Sequence, residues 1–239
     1  MATLFELTAF LEARLALPDP REGDLNLLWR SGERNPEITR VGLALEYVPS
    51  MEAEAAKCDA LFLHRPFHFP ESALPGVPVL ASHTGFDAHL TTGFNPALAS
   101  ALGLGEIQPV FRPDRPETIV PIGMIGTLAA PVPVGNLREQ ITVEFGGLEN
   151  AIVLTDDAPV RVVAVMNALN PSLVALAAEK GATAYLTGQM RENARSAAGR
   201  SDLSVFAAGH ERIEQWGLRR LAQEIRQAFP AVEALILQG

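Results

Sequence analysis

The chain has 239 residues, 48% of them hydrophobic and 20% charged, with a formal net charge of −9 and a pI near 5.1. That balance excludes an intrinsically disordered chain and suits one large or two modest folded units. The acidic charge and the lack of any Lys/Arg-rich stripe weigh against a nucleic-acid partner, and the single cysteine, Cys58, excludes an intrachain disulfide and fits a reducing compartment.

In chain order, Thr3 and Glu6 form a capping box for a first helix whose apolar positions are Leu4, Phe5, Leu7, Phe10, Leu11 and Leu15. Glu6, Glu12 and Arg14 interrupt that pattern and no basic region leads it, so it does not read as a secretory signal. No run approaches the roughly 18 apolar residues of a membrane span. The expected location is cytoplasmic, with no membrane partner. CDALFLH, ending at His64, and GVPVLASH, ending at His83, read as buried strands, as does DLSVFAAGH, ending at His210. The segment Arg40–His64 resembles Arg161–Gly188: each begins Arg-Val, continues as a strand, places Pro-Ser before an Ala-rich helix, and returns as a second strand. Each is followed by a third strand ending in His83 or His210 and then by a helix. Strands and helices alternating in this way predict an α/β fold of two similar units, an internal duplication, with mainly parallel sheets covered by helices. The expected organisation is a first unit over 1–105, a connecting region over 106–159, and a second unit over 160–239 that completes a shared site. Six prolines and recurring glycines between Glu106 and Pro159 suggest a connector with one or two short strands and a helix near Asn136 to Phe145.

The candidate chemistry lies at strand ends, where ligands bind to open parallel sheets because the following loops diverge. Asp87 follows His83 by four residues, and Glu214 follows His210 by four. The second pair opens an amphipathic helix carrying Ile213, Trp216, Leu221, Ile225 and Phe229, so both side chains fall on one face. That spacing suits a cation held by His210 and Glu214, and equally an ordinary first turn with a solvated glutamate. HERIE lacks the second histidine of a zinc-protease helix, and no phosphate-binding loop or G-x-S-x-G nucleophile turn occurs in the sequence.

HRP at His64–Pro66, SHTGFDA at Ser82–Ala88, GFNPALASALGL at Gly93–Leu104, YLTG at Tyr185–Gly188 and GHERIE at Gly209–Glu214 follow one another in this order. With these motifs the whole chain resembles the Nif-three-like family of dinuclear metal-centre hexameric proteins, which carries the label type-two GTP cyclohydrolase I. The resemblance implies two similar α/β units, assembly with itself as a hexamer, and a site for two metal ions (zinc, iron or manganese) contributed by both units. It implies His64, Asp87, His210 and Glu214 as metal ligands, with His83 in a supporting role. The family's second consecutive histidine is Arg65 here, and a guanidinium has no lone pair for a metal. Either His68 replaces it, or the Arg65 cation takes part of the second ion's place beside Asp87 or Glu214, leaving one ion or none. Further departures are Asn26-Leu27-Leu28-Trp29 in place of Asp-Asn-x-Gly-Leu, MNALNP at Met166–Pro171 in place of a glycine-rich turn, and QMRENA at Gln189–Ala194. Two functions follow as expectations. One is a metal-dependent hydrolase of a small, nucleotide-like substrate, with Glu214 as general base where a single ion is held. The other is a non-catalytic binding or assembly protein with a degenerate centre.

Overall fold

Thr3 does what its sequence position demands: its side chain accepts from the Glu6 N–H at 3.3 Å, and Glu6 accepts from the Thr3 N–H at 2.8 Å. This closes the capping box at the start of the first helix. The computed structural model describes residues 2–18, 28–30, 35–190 and 192–238. Asn26, Leu27 and Arg191, which belong to segments singled out in the sequence, lie outside the described residues.

The described elements run β1 (Ala2–Thr3), α1 (Leu4–Leu15), β2 (Leu28–Arg30), β3 (Glu37–Ile38), β4 (Arg40–Glu46), a 3₁₀ turn (Pro49–Met51), α2 (Glu52–Ala55), β5 (Ala60–Arg65) and β6 (Val79–Ala81). They continue with α3 (Thr84–Leu90), α4 (Pro96–Ala101), β7 (Leu104–Val110), β8 (Gly123–Pro133), α5 (Val134–Phe145), β9 (Asn150–Ile152) and β10 (Pro159–Met166). The last are α6 (Pro171–Glu179), β11 (Ala184–Thr187), α7 (Glu192–Gly199), β12 (Ser204–Ala207), α8 (His210–Ala228) and β13 (Glu233–Ile236). Two compact units result: residues up to Phe86 together with those from Gly217 onward, and Asp87–Trp216. The boundaries fall inside α3 and inside α8 rather than in linkers.

The first unit holds a sheet of order β13-β4-β5-β6-β2, in which only the β2–β6 pairing is antiparallel. Ala44, Leu61, Leu63 and Val79 pack with Met51, Ala55 and Leu74 as one buried cluster. Of the expected apolar face of α1, Leu4, Leu7, Leu11 and Leu15 are buried, and Phe10 meets Phe229 edge-on at 5.6 Å. Phe5 is the exception, 62% exposed.

The second unit holds a sheet of order β7-β8-β10-β11-β12-β9. Here β10, β11 and β12 run parallel, and the remaining pairings are antiparallel, so this sheet is mixed rather than mainly parallel. Both faces are covered. Leu137, Ile141 and Phe145 of α5 pack with Val163, Leu186 and Phe206 on one side. Leu173, Val174 and Ala177 of α6 pack with Ala164, Tyr185 and Val205 on the other. The α/β class therefore holds, and each sheet contains a parallel triplet followed by a helix.

The 106–159 stretch is not a connector. It supplies β8, β9 and most of β7 to the second sheet, while β13 returns to the first sheet beside β4. Its prolines sit where a ladder tolerates them. Pro109 lies in edge strand β7, and Pro131 and Pro133 lie beyond Leu128, where the β7 pairing ends. The units thus divide as stated above rather than as 1–105, 106–159 and 160–239.

Asp59 sets the entry to β5. Its carboxylate accepts from the Thr39 N–H and hydroxyl at 2.8 Å each and from the Arg40 N–H at 2.9 Å. Burial alone would raise its pKa, but these donors outweigh burial and hold the carboxyl below its ordinary 3.8. A depressed folded pKa means that the unfolded chain binds the proton more readily, so the contribution is full above pH 3.8 and fades as pH falls through the lower folded value. Asp59→Asn is expected to lower stability at pH 6 and to flatten the acid-side loss that sets in below about pH 4. Urea unfolding across that range measures both effects, and an unchanged slope would contradict the assignment.

Candidate metal site

Strand β5 carries His64 as its penultimate residue, with neighbours so apolar that the imidazole is fully buried at 0% exposure. A buried imidazole must satisfy its polar atoms. His64 Nδ1 lies 3.2 Å from the Ser82 carbonyl oxygen, and a carbonyl only accepts, so Nδ1 carries a proton and, in the neutral ring, the lone pair is on Nε2. This is the arrangement in which metal-ligating histidines are held by an outer-shell acceptor. The ring packs against Phe86 at 4.5 Å and stacks on His83 at 4.8 Å, 10° from parallel.

His83 follows β6 by two residues, and Asp87 lies one turn into α3. Among the described residues, His64, His83 and Asp87 form a group whose candidate ligand atoms all lie within 4.8 Å of one another. Two donors each about 2.1 Å from one ion can stand at most about 4.2 Å apart, so the spread is a small closure away from coordination. Two imidazoles and a carboxylate are also a donor set that zinc, iron and manganese accept. The residues fit a divalent ion. His83, expected only in support, is thus a full member of the group. The signal for it was in the sequence: a histidine at a strand end, four residues before the aspartate.

Two glycines fix the segment that bears Asp87. A Cβ on Gly85 would stand 2.2 Å from the Leu15 carbonyl oxygen, and one on Gly93 would stand 2.3 Å from that of Ala88. Only glycine allows either backbone approach. Beyond Gly93, Asn95 caps α4 by accepting from the Leu98 N–H at 3.1 Å, and its amide donates to the Thr91 carbonyl at 3.0 Å.

In the second unit, Gly209 takes a φ of +102° after β12, a left-handed conformation that turns the chain into α8. The His210 Nε2 lies 3.1 Å from the Glu214 Oε1, with the His210 side chain 66% exposed and that of Glu214 2% exposed. The expected helical pair is therefore formed, with its acid buried. Arg65 lies beside Glu46, its β-ladder partner, at 3.6 Å. His68 is exposed and is not in the three-residue group. A cleft of 590 Å³ in the second unit, lined by Ser100, Glu106, Thr127 and Arg161 among others, contains none of these residues.

Comparison with known proteins adds three findings. The family model described as Duf34/NIF3 (NGG1p interacting factor 3) matches residues 2–238. A GTP cyclohydrolase 1 type 2 homolog from Pseudomonas aeruginosa is 28% identical over 161 residues, 67% of this chain and 61% of that protein. A protein of the same description from Escherichia coli K12 is 31% identical over 150 residues, 61% of this chain and 55% of that protein. The chain spans about three fifths of the length of the curated relatives it matches. Among solved structures, reduced HcgD from Methanocaldococcus jannaschii superposes with a TM-score of 0.72 at 22% identity, covering 100% of this chain and 98% of that one. A Bacillus cereus protein related to NIF3 superposes with a TM-score of 0.71 at 18% identity, covering 100% and 97%. At these identities the structural likeness establishes the fold.

Gly93→Ala tests the packing around α3. Replacing glycine by alanine in ordinary backbone stabilises a protein by about 0.4–1 kcal/mol. Here the added methyl meets backbone, so a loss of about 1–3 kcal/mol is expected in urea unfolding. A variant as stable as wild type would contradict the close approach.

Proposed function

The chain belongs to the Duf34/NIF3 family, and on that premise we propose that it is a metal-binding hydrolase of a small, nucleotide-like substrate. The observation that carries the reading is the His64–His83–Asp87 group, with the His64 Nδ1 proton committed to Ser82 and, in the neutral ring, the lone pair on Nε2. His64, Asp87, His210 and Glu214 are proposed as ligands on the family pattern, and His83 joins them because its ligand atom lies within the same group. The proposed ion is zinc, iron or manganese. When bound, such an ion supplies Lewis acidity to the site.

The chain's own residues supply the remaining chemistry. His64 and His83 hold their imidazoles as a stacked pair, and Phe86 packs against His64. Asp87 brings negative charge that favours a cation. Where a single ion is held and Glu214 is not one of its ligands, its buried carboxylate, with Oε1 beside His210 Nε2, is the proposed general base. A nucleotide-like substrate is proposed by analogy with the GTP cyclohydrolase homologs named above, self-assembly into a hexamer on the family resemblance, and a cytoplasmic location on the sequence pattern. Among the described residues, no helix is long and apolar enough to cross a membrane.

A second reading is favoured by one residue. Arg65 stands where the resemblance expects a ligand, so the centre would hold one ion or none, and the protein would bind or assemble without turnover. Elemental analysis of protein purified without chelators separates the two. One equivalent of metal per chain is expected in wild type, lost in His64→Ala and Asp87→Ala and reduced in His210→Ala and Glu214→Ala. Arg65→His is expected to raise the content towards two equivalents. Metal-dependent turnover of GTP or of phosphoester substrates would favour the hydrolase. A wild type that stays empty after loading would overturn the metal reading.

A further inference from the structure

A second polar cluster lies immediately past α3. Thr91 and Thr92 are 3% and 1% exposed, yet both hydroxyls find the same acceptor, Asn167 Oδ1, at 2.9 and 2.6 Å. The Thr91 hydroxyl also lies 2.7 Å from the Asp87 carbonyl oxygen. Asn167 follows the last residue of β10, and its backbone N–H donates to the Ile122 carbonyl at 2.9 Å, so its position is set by the sheet. The Asp87 carbonyl can only accept, so the carboxamide turns its NH₂ towards it and its Oδ1 towards the hydroxyls. The NH₂ donates to the Asp87 carbonyl at 3.3 Å, across 80 residues of sequence.

We infer that Asn167 is a positioning residue for Asp87: its carboxamide, oriented by Thr91 and Thr92, ties the Asp87 backbone to the end of β10 and so fixes the line along which the Asp87 carboxylate meets the ion. The inference rests on the metal-site reading above. Helix α3 has seven residues, too few for helical hydrogen bonds alone to hold it in water. Its ligand is therefore as well placed as the groups outside the helix make it. Gly93 and Asn95 hold the segment beyond α3, the Thr91 hydroxyl reaches the Asp87 carbonyl from within the same segment, and Asn167 reaches it from the sheet. Outer-shell partners of this kind change metal affinity without touching the metal.

The test uses Mn²⁺ as the probe on the full chain, with affinity from isothermal titration and site symmetry from the electron paramagnetic resonance spectrum of the bound ion. Asn167→Asp keeps the size and the acceptor of the side chain but deletes the donor to Asp87. Thr92→Val keeps shape and deletes one of the hydroxyls that orient the carboxamide. Asn167→Asp is expected to weaken Mn²⁺ binding about 10- to 100-fold and to change the spectrum of the ion that still binds. Thr92→Val is expected to shift both in the same direction by less. A residue that only stabilised the fold would lower the unfolding midpoint and leave the spectrum of bound Mn²⁺ unchanged. Wild-type affinity and spectrum in both variants would overturn the positioning role and leave the metal site standing. Failure of wild type to bind Mn²⁺ would overturn the site and this role together.

Discussion

Helix α3 has no spare room at either end, and the candidate site depends on that. Gly85 sits against the Leu15 carbonyl and Gly93 against the Ala88 carbonyl, each at a distance that no larger residue could adopt. Between these two contacts stands Asp87, the one carboxylate of the three-residue group. Interiors packed at near-crystal density transmit small displacements instead of absorbing them. A carboxylate on such a segment is held in place by backbone packing, which is what a candidate ligand requires.

The imidazoles obey a related rule. Burying His64 completely would be costly if either nitrogen went unsatisfied. The Ser82 carbonyl takes the Nδ1 proton, and the stacked His83 and tilted Phe86 fill the space around the ring. What the surroundings have arranged is a ring in one orientation, with Nδ1 as its donor. The second unit repeats the theme with different parts. At the end of its parallel triplet Gly209 turns the chain, and the first turn of α8 buries Glu214 beside the exposed His210. A buried carboxyl beside an imidazole is a candidate base. After the parallel strands of both large sheets, imidazole and carboxylate thus follow one another in the chain, where open α/β sheets generally bind ligands.

Much of this was legible in the sequence, and the reasons are local. The capping box at Thr3 and Glu6, the short apolar runs at β5, β6 and β12, and the 3.6-residue spacing of α8 each depend on residues close together in the chain. Strand β8 was hidden because Gly123, Gly126, Pro131 and Pro133 read as loop punctuation. Only the pairing with β7 and β10 shows that the glycines admit neighbouring backbone and side chains and that the prolines fall past the β7 ladder. Strand β13 was missed because its partner, β4, is nearly two hundred residues away. At the site, the His210–Glu214 pair was readable from i,i+4 spacing. The reach of Asn167 to Asp87 was not, since it depends on a contact between separate elements.

The central claim is that His64, His83 and Asp87 bind one ion directly, and X-ray absorption at the metal edge of the zinc-loaded protein tests it with the least inference. The account predicts nitrogen and oxygen scatterers at about 2.0–2.2 Å with the outer-shell pattern of at least two imidazoles, one of which disappears in His64→Ala. A first shell of oxygen alone, or a spectrum that His64→Ala leaves unchanged, would contradict it.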